Sequence, residues 1–196
     1  MNRARDDRSN ADPSLHSAVQ PRHQLFGLLT LCLLTLLPQT CFAQFTPRDG
    51  QIIARALSFS EATPGGALEL GIAYAPDRPT SLRQAQSLLA AIGDGLAAGK
   101  VTLTARLIPV DQLAGATGIA GIFVTSDLGP ELDAVTAAAR QLHVPTISTD
   151  MACVRAARCM LGFSSQPTVE IILNHEAANQ AGVHFIQAFR MLVSEL

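Results

Sequence analysis

Two hydrophobic periods alternate along most of this chain, one near 3.6 residues and one of two, and their order predicts helices interleaved with strands. From Arg48 to Ser58, Ile52, Ile53, Ala56 and Leu57 share one helical face. Glu61 to Ala67, with Pro64, Gly65 and Gly66, reads as a turn. Leu68 to Tyr74 is a short apolar run halted by Pro76, which predicts a strand. Thr80 then predicts the cap of a long helix through Ala98, with Leu82, Ala85, Leu88, Leu89 and Ile92 at helical spacing and Gly99 as its stop. Val101 to Ile108 is β-branched and alternating, a second strand, and Val110 to Leu113 makes a short helical turn. Ile119 to Val124 is nearly all apolar, as a strand covered on both faces should be. Gly129 to Leu132 opens a helix that runs to Leu142, with Pro130 in its first turn. Val144 to Ser148 predicts a fourth strand, short and suited to an edge.

After Asp150 the pattern changes. Met160 to Phe163 and Val169 to Leu173 read as an antiparallel hairpin pair, Asn174 as the cap of a closing helical region, and Gly182 as its stop. A last helix is expected from Phe185 to Val193. Strands alternating with helices of this length imply βαβ units. The predicted fold class is therefore α/β: a single domain whose mostly parallel central sheet is flanked by helices, flavodoxin- or Rossmann-like, closed by a C-terminal antiparallel hairpin and helix.

The longest apolar run lies outside this pattern. Arg22 and His23 precede Leu25 to Leu37, Pro38 breaks any helix, and Cys41 and Ala43 place small residues before a cut at Gln44. That is the charged, apolar, small-residue order of a secretory signal. A run of 13 residues is short of the roughly 20 needed to span a bilayer. Residues 1–43 are thus expected to be a leader and signal peptide, cleaved near Ala43, which leaves 44–196 as the working domain in the periplasm.

Composition then changes the picture in two ways. Arg3, Arg5, Arg8 and Arg22 leave with the leader, as do Asp6, Asp7 and Asp12, so ten basic residues face 13 acidic ones in what remains. These charges are scattered with no basic run, which argues against nucleic acid as a partner. Of the four cysteines, Cys32 and Cys41 leave as well, and Cys153 and Cys159 remain. An even count in an exported chain favours a disulfide closing a stapled loop. The rivals are a metal pair, which lacks a nearby His, and a redox couple, which ordinarily has two intervening residues where this pair has five.

Catalytic chemistry is sparse. There is no Gly-x-Ser-x-Gly elbow. His143 sits at a helix end, and His175 and His184 are nine residues apart with no His-x-x-x-His pattern, so no metal site is expected. Gly115, Gly118 and Gly121 precede a strand, whereas a dinucleotide fingerprint follows one, so no cofactor is predicted. A set of strand-end residues is more suggestive. Asp77 follows the first strand, Ser126 and Asp127 the third, and Ser148, Thr149 and Asp150 the fourth. Carboxyl ends of parallel strands are where ligands settle. The same residue types are also ordinary turn formers and helix caps.

The final third resembles the YfiR family of periplasmic regulators. The resemblance rests on Val144 to Asp150 leading into Cys153 and Cys159, on the return Met160 to Phe163, and on Val169 to Asn174 followed by Ala177 to Phe185. Family members often carry a second cysteine pair nearer the N-terminus, which residues 44–152 lack. The resemblance implies a non-enzymatic protein that binds and restrains the periplasmic part of an inner-membrane signalling protein such as a diguanylate cyclase, with dimerisation and disulfide-sensitive activity. The alternative is one lobe of a periplasmic small-molecule binding protein, since ~150 residues is one ordinary domain and two-lobed binders need more.

Overall fold

A computed structural model describes residues 44–63 and 65–196. The expected leader, 1–43, lies outside the described residues. The elements in chain order are α1 (Pro47–Ser58), β1 (Gly66–Tyr74), α2 (Pro79–Ile92), β2 (Leu96–Ala98), β3 (Val101–Pro109), β4 (Gly121–Val124), α3 (Leu132–Leu142), β5 (Thr146–Ser148), α4 (Met151–Arg155), β6 (Leu161–Ser164), β7 (Glu170–Leu173), α5 (His175–Ala181), α6 (Gln187–Arg190) and β8 (Ser194–Glu195). A 3₁₀ turn, Val110–Gly115, follows β3.

One eight-stranded sheet runs in the order β2-β3-β1-β4-β5-β6-β7-β8. Strands β3, β1, β4, β5 and β6 are mutually parallel, while β2 and β7 join antiparallel. The α/β class and the C-terminal hairpin follow the hydrophobic periods. Ile72 on β1 and Ile122, Phe123 and Val124 on β4 are buried because helices cover the sheet, which is why these strands read as unbroken apolar runs. The predicted inward face of α1, Ile52, Ile53, Ala56 and Leu57, is buried against that core.

Four expectations need correction. The helix expected to reach Ala98 ends at Ile92, because Gly93 takes a left-handed φ of 62° and its N–H bonds to Leu89 O. Leu96–Ala98 then turns back as an edge strand on Val101–Leu103, so sheet pairing overrides the helical propensity of its alanines. Strand β5 is interior, between β4 and β6, and is wholly buried. The first half of the cysteine staple is helical: Asp150 caps α4 by accepting the Ala152 N–H at 2.9 Å, and Cys153 lies within it. The closing helix is only Gln187–Arg190, after which the chain returns to the sheet as β8, parallel to β7.

The cysteines are joined, with Cα atoms 5.3 Å apart. Closing so short a loop restricts the unfolded chain, so Cys153→Ala is expected to cost about 2 kcal/mol. Urea melts of both chains measure this, and mass mapping without reductant should recover a Cys153–Cys159 linked peptide. Two free thiols would refute the pairing.

Asp49 gives the fold a pH dependence. Burial alone would push its carboxyl up, but hydrogen bonds from Ser165 and from the Thr46 side chain and N–H hold it below its ordinary value. A depressed carboxyl contributes stability above its unfolded-state pKa, and that contribution is lost as pH falls through the lower folded value. Stability is therefore expected to drop below about pH 4, the usual aspartate range. Asp49→Asn should flatten part of that drop in denaturant titrations at pH 7 and pH 3.

Candidate functional site

The strand order puts the sheet's switch point between β1 and β4. After β1 the chain crosses to β3 on one side, and then returns to lay β4 on the other. Part of the predicted rim lies there, in a network of polar groups that satisfy one another. Ser81 Oγ lies 2.7 Å from Thr125 Oγ1, Thr125 Oγ1 donates to Ala73 O at 2.8 Å, and Ser81 Oγ accepts the Ala75 N–H at 3.0 Å. Gln84, on the next turn of α2, spans two loops: its Oε1 accepts the Ser126 N–H at 2.5 Å and the Ser126 hydroxyl at 3.0 Å, and its Nε2 donates to Thr149 Oγ1 at 3.2 Å.

The remaining rim residues are also placed. Ser148 Oγ is buried, donating to Val124 O and accepting the Asp150 N–H. Asp150 is the α4 cap. Asp127, at a left-handed φ of 62°, pairs with Arg78 at 3.3 Å. Asp77 is exposed and apart from this network. Ser81 and Gln84 complete the network and were not singled out in the sequence, because as helical polar residues they look like solvent-facing positions.

The histidines divide. His143 ends α3 in the left-handed region, and its Nδ1 lies 2.9 Å from Ala181 O at the end of α5. His175 and His184 line one polar cleft of ≈210 Å³ with Glu61, Asn179 and Arg190. His175 Nε2 is 2.9 Å from Glu195 Oε2, and Arg190 Nε donates to Glu195 Oε1 at 3.0 Å. Arg190 foremost, and then His175, hold the Glu195 carboxyl below its ordinary value. Among the described residues, no hydroxyl or thiol lines this cleft. The Arg190–Glu195 ion pair and the His175–Glu195 contact fasten β8 to α6 and α5. Among the described residues, no group of three or more His, Cys, Asp or Glu side chains could hold a metal.

A larger feature has a different chemistry. Between α1 and the C-terminal segment runs a groove of ≈420 Å³, floored by Ile52, Ala56, Phe59, Ile171 and Phe189. Phe59 and Phe189 stack with ring centres 5.1 Å apart, which fixes the floor. Val169, Leu192 and Val193 form one wall, and Arg48, Gln51 and Arg55 form the other. Leu192 is 77 % exposed and the adjacent Met191 79 %, far beyond what burial would dictate for such side chains. The signal for this wall lay in the α1 segment, where Arg48, Gln51 and Arg55 recur at helical spacing beside the apolar face.

No family model matches the sequence, and no curated protein does. Solved structures do. A conserved domain protein from Vibrio cholerae O1 biovar El Tor aligns with a TM-score of 0.51 at 13% identity, over 78% of this chain and 60% of that one. An ABC domain in complex with L-Trp from Streptococcus pneumonia aligns with a TM-score of 0.50 at 12% identity, over 76% and 60% respectively. The chain thus spans about three-fifths of the length of each. These likenesses support the α/β fold.

The switch-point network makes a stability prediction. Ser81→Ala strands the buried Ala75 N–H and takes one of two partners from the Thr125 hydroxyl, which keeps Ala73 O, and this should cost ~1–3 kcal/mol. Asp77→Ala, on the surface, should stay within ~0.5 kcal/mol of the parent. Thermal and urea melts compare the two. Equal effects would refute the network's structural role.

Proposed function

We propose that this chain is a non-enzymatic regulator that works in the periplasm by binding and restraining the sensor domain of an inner-membrane signalling protein, of the kind that the YfiR resemblance implies. The groove between α1 and the C-terminal segment is the contact surface. The carrying observation is the exposure of Leu192 and Met191 beside an aromatic floor, because a chain of this size has little reason to leave them in water except to cover them with a partner. The groove supplies the anchor of such a contact.

The mechanism is steric. A folded, cross-linked surface occupies the sensor domain and holds it in one state, and no group transfer is needed. The Cys153–Cys159 disulfide is compatible with an oxidising compartment. Deleting the gene should raise cellular cyclic-di-GMP if the partner is a diguanylate cyclase. Restoring the parent chain should lower it again, and Leu192→Asp at equal protein level should not. An unchanged nucleotide level on deletion would sink the cyclase reading.

A second reading is favoured by one observation, the gathering of Ser126, Asp127, Thr149 and Asp150 near the switch point, where open parallel sheets bind small molecules. The Streptococcus structure, of similar fold, is in complex with L-Trp. In this chain Gln84 already occupies Ser126 and Thr149, so a ligand must displace it. The regulator reading is therefore preferred.

A further inference from the structure

The groove also constrains what can fill it. Its α1 wall carries two guanidiniums, Arg48 and Arg55, both exposed, and among the described residues neither has an ion-pair or hydrogen-bond partner. Among the described residues, no carboxylate lines the groove. The two lie seven residues apart on one helix, two turns or about 10 Å. One wall of the groove is a helix, and the two-turn spacing of its guanidiniums matches the repeat of a second helix laid alongside it. Apolar grooves take amphipathic helices, whose backbone hydrogen bonds are already made.

Resting on the regulatory reading above, we infer that the occupant is an amphipathic helix of the partner. It lies along α1 with its apolar face on Phe59 and Phe189 and with acidic side chains about two turns apart facing Arg48 and Arg55. The apolar floor supplies the anchor, and the two charges set the partner's orientation and exclude helices with a basic flank.

Two lactam-stapled peptides of about 15 residues, long enough for several helical turns, test this. They share one leucine face and differ only in flanking glutamates or lysines. Fluorescence anisotropy with the full chain should show the glutamate peptide bound about tenfold tighter, as two rim pairs near the middle of the exposed range would give. Arg48→Glu with Arg55→Glu should reverse the order while the melting curve keeps its shape, since both positions are on the surface. Equal binding of the two peptides, binding of neither, or indifference to the charge reversal would overturn the inference. So would self-association of the parent chain that the reversed chain loses, which assigns the groove to a second copy. The regulatory reading is scored separately by the deletion strain: altered cyclic-di-GMP with no peptide bound overturns the helix assignment alone.

Discussion

The C-terminal half of the molecule hangs on one buried amide. Asn174 donates its backbone N–H to Met160 O at 2.7 Å and its side-chain N–H to Val154 O at 2.8 Å, while its Oδ1 accepts the Ala177 N–H at 2.9 Å. One residue thereby joins the disulfide-bearing α4, the start of the β6–β7 hairpin and the first turn of α5. At 6 % exposure there is no water to stand in for any of these partners. The path of the chain through α6 and back into β8 follows from where α5 is pointed. Leu192 and Val193, which wall the groove, are placed at the end of that path.

The two polar-rich regions have opposite characters for a physical reason. At the switch point, loops from β1, β4 and β5 crowd together, and donors and acceptors there must be paired or pay desolvation. Ser81, Thr125 and Gln84 do that pairing, so the place where an open sheet would ordinarily receive a ligand is instead closed by the protein's own side chains. At the far side the chain leaves apolar surface and positive charge uncovered. Groups that already have partners are poor recognition elements. Groups without them are good ones, and here they lie on the groove.

The fold was legible where period and punctuation agreed. The faces of α1 and the apolar β4 run needed only local pattern, and Asn174 and Gly182 announced both ends of α5. It was illegible where tertiary pairing outvoted propensity. Leu96–Ala98 is helix-forming by composition, and only its pairing with β3 makes it a strand. The interior place of β5 could not be read from a segment of three residues, because its neighbour β6 comes from beyond the cysteine staple. Ser126 and Thr149 were legible as strand-end neighbours, but their satisfaction was not, since it depends on Gln84 reaching across two loops. The groove was the least visible. It joins residues 48–59 to residues 169–193, and no local motif spans that distance.

That separation has a consequence for how the surface comes into being. A chain emerging from a ribosome presents α1 well before Leu192. Contacts this distant in sequence form only after the intervening strands have ordered and the long loop between them has been closed. The groove cannot be half-made: an incomplete or misfolded chain has the α1 ridge with nothing opposite it. A partner of the proposed kind, gripping both walls, would therefore engage only finished molecules, and the surface would double as a certificate that the whole sheet has been assembled.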